Sequence, residues 1–366
     1  MDTRVMALTP PDTGGHISTH ATPCAGAPAS TAITAALTAD ITAQPGFDLA
    51  VWSRDQLARV EQALNTWVTA DAPHGLDHGA PAALVDAMRY AVLDGGKRLR
   101  PLLVLASCEA VGGNPQAALR AACATELIHA YSLVHDDLPC MDNDVLRRGK
   151  PTVHVKFGEA QALLAGDALQ ALAFEILTPD DAAIPAALQA RLCRLLAQAA
   201  GSAGMAGGQA IDLASVGQAL TERQLREMHR LKTGALLQGS VMMGVACGEG
   251  GVAFKEGAAL GEGVASGEHA RTTEAALATY GAAIGLAFQV VDDILDVTAD
   301  SATLGKTAGK DAVDDKPTYV SLLGLKRSQV YAQELLVEAL AALDASGLAH
   351  TAALRALADM VVNRHA

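Results

Sequence analysis

The stretch HDDLPCMDNDVLRRGKPT, residues 135–152, places a group of aspartates directly before two adjacent arginines. Asp136 and Asp142 are six residues apart, so on a continuous helix they would point about 240° away from each other. Pro139 lies between them and cannot continue a regular helix without losing a hydrogen bond. We therefore expect the helix to end near Asp137 and the chain to turn, which brings Asp142 back toward Asp136.

The chain around this stretch has the composition of an all-α protein. Half of its 366 residues are hydrophobic but only 3% are aromatic, so Ala, Leu and Val must build the core. Alanine and leucine are strong helix formers, whereas strands favour β-branched and aromatic residues. No run alternates well enough to predict a strand. Helical periodicity appears at 55–68, 81–93, 117–137, 158–177, 185–200, 219–247, 272–297, 318–324 and 328–364.

The domain organisation follows from the composition along the chain. Residues 1–45 are rich in Thr, Pro, Ala and Gly and predict a disordered N-terminal tail. Residues 46–366 predict a single all-α domain, within which the glycine-rich segment 248–271 is expected to be a mobile loop. Uncharged stretches contain Gly, Ser and Gln and do not predict a membrane segment.

Charge and cysteine usage exclude several classes of function. The net charge of -13 argues against non-specific nucleic-acid binding, which needs a basic surface. The six cysteines show no zinc-site spacing and no small disulfide framework, so we expect a reduced, cytoplasmic setting.

A second acidic cluster, FQVVDDILDV, occupies residues 288–297. Asp292 and Asp296 share one face of a helix, and Asp293 points about 100° away. Either cluster alone could be a solvated acidic surface, but both lie in apolar helical sequence. Magnesium typically binds through one or two carboxylates together with substrate phosphates, and arginine binds phosphate in a fork. Carboxylates and arginines in one stretch therefore indicate a site for a metal-bound polyphosphate.

Other basic residues are less specific. GGKRLRP, residues 95–101, follows a glycine turn and places Lys97 and Arg100 three residues apart, so they could converge on one anion. A helix start with exposed basic residues fits equally well. No phosphate-binding glycine loop is present, and Lys232, Lys306, Lys310 and Lys316 would each alone be simple surface lysines.

Taken together and in this order, GGKRLRP, HDDLPCMDND, RRGKPT, KTGALL, FQVVDDILD and GKTAGKD resemble the motifs of the trans-prenyl diphosphate synthases, in particular bacterial farnesyl diphosphate synthases. The resemblance runs from about residue 55 to the C-terminus. It implies a single-domain helical bundle around a deep central cavity, a homodimer, and Mg²⁺ as cofactor, with three ions per active site. The implied reaction joins isopentenyl diphosphate head-to-tail to an allylic diphosphate.

The resemblance also implies roles for individual residues. Metal binding is implied for Asp136, Asp142 and Asp292, with support from Asp137, Asp293 and Asp296. The allylic diphosphate would be held by Arg147, Lys232 and Lys306. Isopentenyl diphosphate would be held by Lys97, Arg100, His129 and Arg148, with Gly96 allowing a close backbone approach. Thr233 and Gln289 would lie near the developing allylic cation. His129 also fits a core histidine.

Product length depends, in this family, on side chains below the first aspartate motif. Tyr131 and Ser132 lie five and four residues before Asp136. Tyr131 is therefore expected to form part of the cavity floor and to limit the product to farnesyl diphosphate.

Four alternatives remain. A geranylgeranyl or geranyl diphosphate synthase shares every motif, and a terpene cyclase would not need GGKRLRP. A metal phosphohydrolase would need further histidine ligands, and a non-catalytic subunit would not need both aspartate sets.

Overall fold

The computed structural model describes residues 46–71, 79–93, 95–180, 182–248, 263–298 and 317–364. The predicted tail, residues 1–45, lies outside the described residues, as do Lys306, Lys310 and Lys316. Among the described residues, the regular elements are helices apart from one two-stranded hairpin, which confirms the all-α prediction.

The helices are labelled α1 to α14 in chain order. They are α1 Leu49–Trp67, α2 Ala82–Val92, α3 Leu99–Ala110, α4 Pro115–Asp136, α5 Val153–Phe157, α6 Glu159–Glu175, α7 Ala186–Ala200, α8 Met205–Ala214, α9 Glu222–His229, α10 Ala235–Ala246, α11 Gly263–Thr298, α12 Tyr319–Leu323, α13 Leu325–Ala345 and α14 Ala352–Val362. A π-helical turn, Arg230–Gly234, joins α9 to α10. The strands are β1 Leu146–Arg147 and β2 Lys150–Pro151.

Two central helices, α4 and α10, organise the core. Both are buried on several sides, because α4 packs against α3 and α6 while α10 packs against α3, α7 and α11. A helix apolar on all sides is expected in the interior of a bundle. Half of the buried positions of α4 are alanines, which allow close helix contact. The side chain of Asn114 caps the first turn of α4 and Pro115 follows it, so the sequence specifies where this helix begins.

The hairpin between the first aspartates and α5 was not predicted. Leu146 pairs with Pro151 and Arg147 with Lys150 in antiparallel register. The two turn residues, Arg148 and Gly149, have φ of 52° and 74°. Two successive residues with positive φ are typical of the type I′ hairpin turn. Such short strands carry no alternating pattern that the sequence could show.

Helix α11 begins at Gly263, earlier than the predicted run at 272–297, so the loop prediction is wrong for residues 263–271. One glycine costs only about 1 kcal/mol in a helix, which continuous packing downstream can outweigh. The rest of the predicted loop, 249–262, lies outside the described residues.

The segment Glu268–Thr298 of α11 is long and apolar enough to cross a membrane. However, 61% of its most apolar window is buried among other helices, as in a core helix. Tyr280 and Ile284 within it are fully buried. The apolar character of this segment is therefore explained by its packing as a core helix of the bundle.

Candidate active site

The first aspartate motif forms a turn at the C-terminal end of α4. The helix ends at Asp136, and the backbone N–H of Asp142 donates to the carbonyl oxygen of Asp136 over 2.8 Å. Pro139 interrupts the helical hydrogen bonds between them, as the sequence predicts. The turn therefore brings the two aspartates together, which confirms the expected return of the chain.

Asp136 has an unfavourable environment for its charge. Burial raises the pKa of Asp136 to about 6; Lys232 opposes the increase and Asp142 adds to it. A bound cation would relieve both the burial and the repulsion.

Asp137, the next residue in this turn, pairs with Arg147. Nε of Arg147 donates to both carboxylate oxygens over 3.0 Å, and Nη2 donates to Oδ1 over 2.6 Å. Asp137 is only 2% exposed, and burial raises its pKa although Arg147 opposes the change. The bidentate ion pair fixes the arginine beside the motif.

Arg148 packs against the GGKRLRP turn. Its Nη1 donates to the carbonyl oxygen of Gly95 over 2.6 Å. A Cβ on Gly96, whose φ is +137°, would lie 2.9 Å from that same nitrogen. The missing side chain of Gly96 therefore makes room for the guanidinium of Arg148.

A narrow pocket of about 50 Å³ is lined by His129, Arg147 and Arg148, which places three predicted diphosphate-binding residues together. Burial lowers the pKa of His129 well below its usual value, and the positive charges of Arg100 and Arg148 lower it further. His129 is therefore neutral at physiological pH, and a neutral imidazole has one donor and one acceptor nitrogen.

The π-helical turn carries Lys232 and Thr233 and lies between two helices. A Cβ on Gly208 of α8 would lie 2.0 Å from the backbone nitrogen of Lys232, and a Cβ on Gly285 of α11 would lie 2.8 Å from Cα of Gly234. Both helices therefore approach the turn as closely as glycine permits. Single π turns are frequent at functional sites.

Two side-chain contacts orient the residues of this turn. Nζ of Lys232 donates to Oδ2 of Asp212 over 2.5 Å. The hydroxyl of Thr233 donates to Oε1 of Gln289 over 3.1 Å, and Nε2 of Gln289 donates to Asp293 over 2.8 Å. The predicted residues Thr233 and Gln289 thus lie in direct contact.

The second aspartate motif lies within the continuous helix α11. Nη2 of Arg364 donates to Oδ1 of Asp292 over 2.7 Å, and the guanidinium lies 4.1 Å from the ring centre of Phe288. Asp293 and Asp296 are 2% and 4% exposed. Burial lowers the pKa of Lys97, the charge of Arg364 lowers it further, and Asp292 opposes these effects.

A cavity of about 390 Å³ adjoins the first motif. Its lining includes Tyr131 and Ser132 from α4 together with Asp136, and Lys232 and Thr233 from the π turn. The remaining wall is mainly apolar. Its lining also contains Arg100, His129, Leu133, His135, Met141, Met205, Ala206, Gln209, Ala210 and Leu213. A mainly apolar cavity with charged groups such as Asp136 and Lys232 on its wall suits a long hydrocarbon substrate with a charged head.

A comparison with known proteins identifies the family. A family profile described as polyprenyl synthetase matches residues 81–356, which is more than half of the chain.

The chain belongs to the polyprenyl synthetase family.

Two relatives illustrate the range within this family. A probable farnesyl diphosphate synthase of Sinorhizobium fredii is 50% identical over 290 residues, covering 79% of this chain and 80% of the relative. A chloroplastic geranylgeranyl pyrophosphate synthase of Capsicum annuum is 42% identical over 319 residues, covering 87% and 79%. Among solved structures, a geranyltransferase of Helicobacter pylori complexed with magnesium and isoprenyl diphosphate has a TM-score of 0.68 and 32% identity, covering 88% of this chain and 98% of that one.

The residues fit the magnesium expected for a polyprenyl synthetase. Within the described ranges, no group of three or more His, Cys, Asp or Glu side chains is close enough to hold an ion. Magnesium does not need such a cage, because it usually retains water and uses substrate phosphates as ligands. The metal ligands available here are carboxylate oxygens. The raised pKa of Asp136 means that its negative charge is unfavourable without a nearby cation.

Sequence reasoning did not identify four residues that contribute to the site or support it. Asp212 pairs with Lys232, and Arg364 pairs with Asp292. Arg98 is buried and pairs with Glu61 and Glu126, so this member of GGKRLRP holds the fold together. These partners are distant in sequence, and no local pattern marks them.

The fourth is Gln209, whose side chain lines the cavity with both amide atoms buried and with no hydrogen-bond partner in the described part of the chain. A glutamine on an apolar helix next to two glycines was the available signal.

Proposed function

We propose that this chain is a Mg²⁺-dependent prenyltransferase that condenses isopentenyl diphosphate with dimethylallyl diphosphate and then geranyl diphosphate to give (2E,6E)-farnesyl diphosphate. The observation that carries the proposal is the apolar 390 Å³ cavity with Asp136, Lys232 and Thr233 on its wall. Family membership and the 50% identity to a probable farnesyl diphosphate synthase support it.

In this reaction the carbon–oxygen bond of the allylic diphosphate breaks and negative charge collects on the leaving group. Bound Mg²⁺, held by Asp136, Asp142 and Asp292 with support from Asp137 and Asp296, would neutralise that charge. Arg147, Lys232 and Lys306 would bind the same diphosphate. The ion pairs of Arg147 with Asp137 and of Lys232 with Asp212 hold two of these cations in place before substrate arrives. Preorganised charge stabilises the transition state most effectively.

Isopentenyl diphosphate would bind to Lys97, Arg100, His129 and Arg148, beside the backbone of Gly96. His129, kept neutral, would contribute a hydrogen bond without adding another charge. The new carbon–carbon bond forms at the allylic carbon, and loss of one proton completes the product. The released pyrophosphate can accept that proton, so no side-chain base is required.

Chain length is proposed to depend on Tyr131 and Ser132. Both line the cavity, and the ring of Tyr131 packs edge-on against His135 with 5.7 Å between ring centres. Tyr131→Ala should lengthen the main product beyond C15, because it removes the largest side chain of this wall segment. Tyr131→Phe, which keeps the ring, should leave the product at C15. An unchanged C15 product from the alanine variant would remove Tyr131 as the limiting residue.

Three further features are part of the proposal. They are a homodimeric assembly, a cytoplasmic location, and a complement of three Mg²⁺ ions. Light scattering of the purified protein would test the assembly, and metal analysis of a complex with pyrophosphate would count the ions.

The deciding experiment is product analysis by mass spectrometry. The full chain is incubated with Mg²⁺, dimethylallyl diphosphate and excess isopentenyl diphosphate. A dominant C15 diphosphate is the expected result. A dominant C20 product would favour a geranylgeranyl diphosphate synthase, the second candidate, which the 42% identical Capsicum annuum relative supports. Absence of any elongation would reject the prenyltransferase proposal.

A further inference from the structure

A chain of hydrogen bonds joins the second aspartate motif to the cavity. The backbone N–H of Tyr319 donates to Oδ2 of Asp293 over 2.7 Å, and Nε2 of Gln289 donates to Oδ1 of Asp293 over 2.8 Å. Oε1 of Gln289 accepts the hydroxyl hydrogen of Thr233 over 3.1 Å. Thr233 is the member of this chain that lines the cavity, next to Lys232.

The chemistry of each group gives this chain a single direction. A backbone N–H can only donate, and a carboxylate can only accept. Asp293 must therefore receive the NH₂ group of Gln289, which leaves Oε1 of Gln289 facing Thr233. Because a carbonyl oxygen can only accept, Thr233 gives its one hydroxyl hydrogen to Gln289. The lone pairs of the Thr233 hydroxyl are then left for the cavity.

The starting point of this hydrogen-bond chain, Tyr319, is held by packing. Tyr319 is fully buried, with its ring between those of His229 and Tyr331 at centre distances of 5.6 and 5.7 Å. Asp293 is 2% exposed, so water competes little for its oxygens. Gln289 is brought to the π turn by the close glycine contact one helical turn earlier in α11. The direction set at Tyr319 is therefore transmitted to Thr233.

We propose that Asp293 is a positioning residue that fixes the polarity of the Thr233 hydroxyl. The inference rests on the proposed function: positive charge develops on the allylic carbon as its bond to the diphosphate breaks. Lone pairs fixed toward the cavity stabilise that charge, and no reorientation is needed during the reaction. This role replaces the supporting metal role expected for Asp293.

Asp293→Asn tests the direction of this hydrogen-bond chain. The substitution keeps the shape of the side chain but replaces one acceptor oxygen by an NH₂ donor. The backbone N–H of Tyr319 still requires an acceptor, so the new amide presents its NH₂ group to Gln289. Gln289 must then reverse, and its Nε2 donates to Thr233, whose hydrogen turns toward the cavity. We expect the single-turnover rate with geranyl diphosphate and isopentenyl diphosphate to fall about 100-fold. KM and the Mg²⁺ concentration for half-maximal rate should not change.

The double variant Asp293→Asn with Gln289→Glu restores the original direction. A carboxylate at position 289 accepts from the new amide and presents its other oxygen to Thr233. The double variant should recover about tenfold or more of the lost rate. Gln289→Glu alone is the matched control; it sets two carboxylates against each other and should be slower than the double variant.

Thr233→Val and Thr233→Ser test the role of the hydroxyl in variants that leave Asp293 unchanged. They therefore remain informative even if the Asp293 variants do not fold. Valine has the shape of threonine without lone pairs and should slow the single turnover about 100-fold, whereas serine should retain most of the rate.

The proposal is overturned if the double variant folds but is no faster than Asp293→Asn. It is also overturned if excess Mg²⁺ restores Asp293→Asn to the wild-type rate, which would make Asp293 a metal ligand, or if Thr233→Val is fully active. An inactive wild-type chain would instead reject the proposed prenyltransferase function.

Discussion

The two aspartate motifs contain the same residue type but are held in different ways. In the first motif, the chain turns after Asp136, and the nearby Arg147 pairs with Asp137. In the second motif, the backbone is a regular helix, and the partners of Asp292 and Asp293 come from Arg364 and Tyr319. The first motif is thus shaped by its own sequence, and the second by tertiary contacts.

The two motifs therefore also differ in how the negative charge of their carboxylates is compensated. In the first motif, the negative charge of Asp136 is only partly compensated, and the pKa of Asp136 is raised to about 6. In the second motif, Asp292 is already neutralised by an arginine of the same chain. A cation should therefore stabilise the first motif directly, whereas at the second motif it must compete with Arg364.

The largest effect is expected from Asp136→Asn. Turnover should fall on the order of 10³-fold, the loss expected when several kcal/mol of charge stabilisation in the transition state disappear. Product formation at saturating Mg²⁺ gives the measurement. The matched control is Asp144→Asn in the same turn, which should change turnover by less than about threefold, since Asp144 does not line the cavity and lies 4.0 Å from Nη2 of Arg147. Equal losses in both variants would contradict a specific role for Asp136.

The same substitution should stabilise the metal-free protein. The folded-state pKa of Asp136, about 6, exceeds its unfolded value of 3.8, so the native state binds the extra proton between these values. Wild-type stability therefore falls as pH rises through this window. With a chelator at pH 7.5, Asp136→Asn should raise the free energy of unfolding by about 1–3 kcal/mol.

Two comparisons make this prediction specific to the first motif. The gain from Asp136→Asn should vanish below about pH 3, where the wild-type carboxyl is protonated in both states. Asp292→Asn should give no gain at pH 7.5, because it removes the partner of Arg364. Denaturant unfolding at several pH values measures both, and a similar gain in both variants would erase the contrast.

A third prediction concerns how the first motif is anchored. Nε2 of His135 donates to the carbonyl oxygen of Leu163 over 3.0 Å, and a Cβ on Gly166 would lie 2.1 Å from that nitrogen. Gly166→Ala should therefore lower the free energy of unfolding by about 1–3 kcal/mol, as overpacking does. In the His135→Ala background the same change should cost much less. Thermal unfolding of the four proteins completes the cycle, and equal costs in both backgrounds would refute the steric explanation.

The smallest effect should come from the second motif. Arg364→Gln removes the competitor of the cation at Asp292, whose side chain is 41% exposed. An ion pair of this exposure is worth about 0.2–1 kcal/mol, so Mg²⁺ should bind the substrate-free protein up to about fivefold more tightly. Calorimetric titration measures this. Arg355→Gln, which breaks the ion pair with Asp344, is the control and should leave Mg²⁺ affinity unchanged. Weaker Mg²⁺ binding by Arg364→Gln would contradict the idea that Arg364 competes with the cation for Asp292.

The same contrast explains how far the sequence could predict the structure. The turn of the first motif followed from Pro139 and from helix geometry, which are local properties. The partners Arg364 of Asp292 and Asp212 of Lys232 could not be predicted, because side chains far apart in sequence meet only after the helices pack. The start of α11 was misplaced because glycines at 263 and 267 look like a loop, while the helix gains its stability from packing further along.

The π-helical turn at Arg230–Gly234 has a consequence for the number of residues in this helix. A π turn contains one more residue than an α turn would. Deleting one residue there would leave a regular α turn, and α9 and α10 would keep their orientation because the turn still completes one rotation. In an α turn, however, consecutive residues point about 100° apart, so Lys232 and Thr233 could not both face the same wall. Lys232 or Thr233 would then leave the cavity wall although almost every residue was kept. At this point the geometry of the site depends on the number of residues as well as on their identity.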